Sequence, residues 1–211
     1  MNLIEVILTG ASFLVLAGYH THLYFKVRRS PESTAIGMTN MMRQQWVMTI
    51  MEERRDILAI QTLRNWVMAS SFLASTAILI ALGILNAAVR PDGFVDITHA
   101  LNLVGTRSEA LWVLKLMLLV VDFFLAFFNF TLAIRYFNHA GFGVGLPDKH
   151  EGVASHEFVT EVINHGSFHY TIGMRSYYLA IPLALWIFGP TWMLAGTIIL
   201  VGVLYQLDRT V

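Results

Sequence analysis

The chain has 211 residues, of which 56% are hydrophobic and 13% charged, with a formal net charge of zero. A soluble domain carries about 25% charged residues, so this composition cannot furnish an ordinary soluble surface and has no overall pull toward nucleic acid or an acidic partner. It has no cysteine, which excludes disulfides, thiolate-held iron–sulfur clusters, covalent c-type haem and Cys-based zinc sites.

Hydrocarbon about 30 Å thick needs about 20 apolar residues of helix. Residues 3–25 meet that requirement first. This segment lacks a basic n-region, carries Glu5 near its start and is longer than a signal-peptide core, so it is read as a retained span. Ala11 and Gly18 leave a smooth strip on it for a neighbouring helix.

The next stretch, 26–65, holds Lys26, Arg28, Arg29, Arg43, Arg54, Arg55 and Arg64. Such a basic loop belongs on the cytoplasmic side. Ser30-Pro31 looks like an N-cap followed by proline at the first helical position, and Trp46, Val47, Ile50, Met51, Ile57 and Leu58 recur at helical spacing. An amphipathic cytoplasmic helix is expected there, lying in the headgroup region or packing under the bundle, with residues 52–56 forming a solvated charge cluster.

Residues 66–89 form the second expected span, with Ser70, Ala74, Ala77, Ala81 and Ala88 as a packing strip. The third covers 111–137 and contains Lys115, Asp122 and Asn129, seven residues apart and therefore on one helix face. Ionisable groups inside apolar spans are functional candidates by default, so this stripe is read as lining a polar pathway, with Thr131 and Arg135 near its cytoplasmic end. The competing reading is that Asp122 pairs with a basic residue or with Ser71, Ser75, Thr76 or Asn86 and only fixes helix register, while Lys115 snorkels to the interface.

In the loop 138–175, Glu157, Glu161, His165 and His169 are spaced by four, a ligand-like geometry that Gly166 interrupts. They are metal candidates; a solvated Glu/His face is the plainer reading. His20 and His22 stand two apart and cannot share a helix face, and the second and fourth spans hold no histidine to match them, so haem is not expected. No cofactor is predicted. The fourth span, 176–205, contains Gly189-Pro190 near its middle. The halves on either side are short for separate crossings, so one kinked span is expected; a hairpin at that point would return the C-terminus to the cytoplasm.

Phosphate-cradling and His-Glu-x-x-His motifs are missing from the sequence, which leans away from an enzyme. The expectation is an all-α polytopic protein of the plasma or inner membrane, one domain over residues 1–211, with four transmembrane helices. The N-terminus and C-terminal tail would lie outside, and loops 26–65 and 138–175 inside. Four short-looped helices enclose little volume, so a homo-oligomer conducting a small ion or polar solute is one functional expectation. An accessory subunit packed against a larger membrane complex is the other.

Several phrases carry a family resemblance: Tyr19-His20, Arg43 with Trp46, Leu63-Arg64-Asn65 leading into Ala74-Ser75-Thr76, and Arg135-Tyr136. Gly173, Arg175, Tyr177 and Tyr178, the run Trp186 to Pro190, and Leu204-Tyr205 with Leu207-Asp208 complete it. Together they resemble an uncharacterised family of four-span membrane proteins found in bacteria and plants, a domain of unknown function. The resemblance implies an integral membrane fold along most of the chain and assigns no reaction or cofactor.

Overall fold

A computed structural model of the chain describes residues 2–89, 102–106, 108–146 and 155–209. Arg90, Arg107 and Lys149, further basic residues that bear on orientation, lie outside the described residues. The described residues form six α-helices and no strand: α1 (Leu3–Arg29), α2 (Ala35–Glu52), α3 (Asp56–Val89), α4 (Glu109–Val144), α5 (His156–Phe188) and α6 (Pro190–Leu207). All but α2 are long and apolar enough to cross a membrane. The chain is a helical membrane protein, and the fully hydrogen-bonded helix is the form in which a backbone can lie in hydrocarbon.

Local chemistry sets the boundaries. Asn2 caps α1 by accepting from the Glu5 backbone N–H at 2.8 Å, and Lys26, Arg28 and Arg29 sit in its last turn, where the helix dipole favours cations. Pro31 opens a short 3₁₀ turn (Pro31–Ser33), and the cap of α2 is Thr34, four residues after the expected Ser30. The expected amphipathic helix ends earlier than its spacing implied. Arg54 takes a positive φ of 53°, and Ile57 and Leu58 already belong to α3, which begins at Asp56.

The fourth expected span is corrected. Gly189 breaks the chain at φ 140° and ψ 163°, a region closed to side-chain-bearing residues, and Pro190 starts α6. A Cβ built on Gly196 would lie 3.6 Å from the Cα of Pro182. The two residues stand seven positions on either side of Gly189; in a continuous helix they would be about 21 Å apart. Thus α5 and α6 form an antiparallel hairpin, and five helices rather than four are candidates to cross. The halves looked too short because α5 begins at His156, well before the apolar run. The C-terminal tail is corrected with it: the Ala35 N–H donates to the Asp208 carbonyl at 3.1 Å, which sets the end of α6 beside the first loop.

Neighbouring helices run in the order α3, α4, α5, α6, α1. Ser70, Ala74, Ala77 and Ala81 of α3 are buried, and the alanines pack on Trp112, Leu116 and Phe123 of α4. Between α4 and α5, Phe130 meets Tyr170 and Tyr177 edge-on, and a Cβ on Gly173 would come within 2.8 Å of the Phe130 ring, so only glycine permits this approach. On α1 the buried stripe is Glu5, Thr9, Ser12, Leu16, Tyr19 and Leu23, not the expected Ala11 and Gly18. Leu16 and Tyr19 pack on Leu200 and Leu204 of α6.

Helices α3, α4 and α5 have 34, 36 and 33 residues, about 50 Å each at 1.5 Å per residue, well beyond the hydrocarbon thickness. Their shared extension is closed by α2, whose Val47 and Ile50 join Leu63, Phe137, Val159 and Ile163 in one core. Trp46 and Trp66 continue it onto Phe137, with ring centroids 5.8 and 5.3 Å apart. The apolar face of α2 is therefore used for packing against protein.

Candidate functional site

The stripe Lys115, Asp122, Asn129 faces α5, as the cost of exposing it to lipid requires. Lys115 is 3% exposed. Its Nζ lies 3.8 Å from a carboxylate oxygen of fully buried Glu5 and 5.3 Å from the ring centre of Trp186. It is held by an ion pair and a ring face; the expected snorkelling is not seen. Glu5 also accepts from the Thr106 N–H at 3.0 Å, and Asn2 donates through Nδ2 to the Val104 carbonyl at 2.9 Å, tying α1 to the segment before α4.

Asp122 lies 8% exposed in the middle of α4. Ser176 of α5 is its hydrogen-bonding neighbour, while Oδ2 is buried with no partner among the described residues. The partners expected on α3 are elsewhere: the Ser71 and Thr76 hydroxyls donate back to Val67 and Phe72 of their own helix, and Ser75 is exposed. Asn129 donates to the Leu125 carbonyl at 2.8 Å, and its Oδ1 is 3.0 Å from Nδ1 of His169. About two turns along α4, Tyr136 stacks on both His165 and His169 with centroids 5.5 Å apart.

The seam continues to an exposed pair, His165 with Glu161 at 3.7 Å. Glu157 lines a neighbouring surface hollow with Glu161 and His165. Of the four metal candidates, His169 is turned to Asn129, and no group of three His, Asp or Glu that could hold a metal forms among the described residues. Arg135 is exposed, off the seam, and Thr131 bonds back to Phe128 of its own helix.

A second polar centre closes the opposite end of the hairpin. Arg175 donates from Nη2 to both oxygens of Asp208 at 2.6 and 2.8 Å, and the Tyr19 hydroxyl donates to the same carboxylate. Arg43 of α2 donates to Asn164 of α5 at 3.0 Å and to Asn40. Burial lowers the pKa of this guanidinium from its ordinary value, and a guanidinium so placed still carries its charge. His20 is bonded at Nδ1 to the Leu16 carbonyl, 2.8 Å away. Arg64 and Asn65 are exposed; Tyr178 packs on the α1–α6 core.

Lys115, Asp122 and Asn129 thus share the α4–α5 interface, and His20, Arg43, Arg175 and Asp208 gather around the ends of α1 and α6. Sequence reasoning missed Glu5 and Ser176 as partners. A carboxylate inside an apolar first span was the available signal for Glu5; Ser176 gave none, because serine is common at helix interfaces. The model of a family described as Protein of unknown function, DUF599, matches residues 7–211. No curated protein and no solved structure matches the chain.

Proposed function

We propose that this chain, which belongs to the DUF599 family of proteins of unknown function, moves protons or another small cation through the seam between α4 and α5. The observation that carries the proposal is Asp122, buried in mid-span with one carboxylate oxygen unpartnered. An ionisable group so placed needs water, a proton or a cation to complete it. Toward the basic end of the bundle, His169, His165 and Glu161 follow at positions where each neighbour can take or give a proton. Asp122 and Asn129 are about 10 Å apart along the helix, a gap that water beside the seam would bridge. The aromatic packing of Phe130, Tyr170 and Tyr177 suits a proton better than a solute of any size.

In this reading the basic segment between α1 and α3 is cytoplasmic, together with α2. Five crossings then put the N-terminus outside and the end of α6 inside. Association of copies belongs to the proposal: Gly10 and Gly18 of α1 have open space where a side chain would be, and small residues of this kind let a second helix approach closely. A co-purifying heteromeric partner would replace this with the accessory-subunit reading.

The test is proton uptake by proteoliposomes under a potassium diffusion potential, followed with an entrapped pH-sensitive dye. Wild type should acidify the lumen faster than protein-free vesicles, and Asp122→Asn should return the rate to the protein-free level. Equal rates for wild type and Asp122→Asn, or no rate above empty vesicles, would reject the pathway.

A further inference from the structure

A cavity of about 620 Å³ opens between the second half of α1, α2 and the middle of α5. Its basic lining is His20, Arg28, Arg43 and Arg175, with no Asp or Glu, and Phe168 and Ile172 form part of its apolar wall. Two of these groups are left incomplete by the protein. Arg175 spends Nη2 on Asp208, but Nη1 is buried without a partner among the described residues, and so is Nε2 of His20. A buried guanidinium nitrogen without an acceptor is costly, so the site is built for an anion.

Depth identifies which anion. With 18 residues, α6 is about 27 Å long, barely enough to cross hydrocarbon, so Asp208 at its end marks a membrane boundary. Arg175 is bonded to Asp208 and shares that level, while Arg43 and Asn164 lie farther out along α5. The cavity therefore runs from the edge of the hydrocarbon into the headgroup layer, with basic groups and no carboxylate in its lining, Arg175 being shared with Asp208, and with an apolar wall. We infer that it holds the headgroup of an anionic phospholipid, with the phosphate against the unpartnered Nη1 of Arg175 at the hydrocarbon edge, the outer part of the headgroup running past Ile172 and Phe168 toward Arg43, and the acyl chains leaving into the hydrocarbon beyond Arg175. Basic pockets between helices at this depth are suited to such headgroups. The inference is independent of passage through the α4–α5 seam, because it concerns a different face of α5.

Native mass spectrometry and thermal unfolding of the full chain in nonionic detergent test it, with phosphatidylglycerol, phosphatidylcholine and millimolar inorganic phosphate as separate probes. Wild type should retain phosphatidylglycerol over phosphatidylcholine and be stabilised only by the former. Arg43→Gln should lower phosphatidylglycerol affinity by about tenfold or more, the usual loss for one charge-assisted hydrogen bond. Thr171→Phe fills the cavity and keeps every charge; it should lower the affinity similarly and serves if Arg43→Gln fails to fold. Equal retention of the two lipids, preference unchanged in these variants, or the same stabilisation by inorganic phosphate would overturn the proposal.

Discussion

Replacing Asp208 with asparagine should loosen the end of the α5–α6 hairpin by a calculable amount. Asp208 accepts two hydrogen bonds from Arg175 at 2.6 and 2.8 Å and a third from Tyr19. The Arg175 and Asp208 side chains are 15% and 13% exposed, so the pair is largely shielded from water. Asparagine keeps the shape but loses the charge, and its amide group presents donors where the carboxylate accepted. Removing one partner of a buried pair costs about 3–5 kcal/mol; the residual exposure of both groups favours the lower figure. A loss of about 3 kcal/mol is a change of more than a hundredfold in the unfolding equilibrium. Reversible unfolding in mixed micelles, titrated with a denaturing detergent, measures it. Tyr19→Phe removes a single hydrogen bond and should cost about 1 kcal/mol, with little further loss once Asp208 is already asparagine. A change below about 1 kcal/mol for Asp208→Asn would show a water-screened surface pair and refute the reasoning.

Glu5→Gln strands Lys115 as an uncompensated buried cation and should cost about 3 kcal/mol in the same titration, whereas Glu5→Gln with Lys115→Met should recover most of it. No recovery in the double variant would mean that Lys115 is stabilised by something other than Glu5. Gly189→Ala forces a side chain into the conformation at φ 140° and should lower stability by about 1–3 kcal/mol. An unchanged midpoint for that variant would count against a tight turn between α5 and α6.

The membrane class and most helix positions were legible because apolar length and small-residue strips are local signals. Ala74, Ala77 and Ala81 declared the face of α3 that meets α4 through spacing alone. The hairpin was hidden because hydropathy from Ser176 to Tyr205 is continuous, while the polar first half of α5 reads as loop. Arg175 looked like a helix boundary. It is an interior helix residue, tolerated because Asp208 neutralises it from 33 positions away. The seven-residue stripe correctly predicted a face turned into protein, since that follows from the cost of an ionised group in lipid. Its partners were not legible, because α4 meets both α3 and α5 and nothing local to Asp122 chooses between them.

That choice admits a direct measurement, because the chain has no native cysteine. Asp122→Cys paired with Ser176→Cys, and separately with Ser75→Cys, can be oxidised in membranes and the disulfide yield read by mass spectrometry. The α4–α5 seam predicts cross-linking of 122 with 176 and none of 122 with 75. Cross-linking to position 75 alone would place the Asp122 side chain on α3 and contradict the seam.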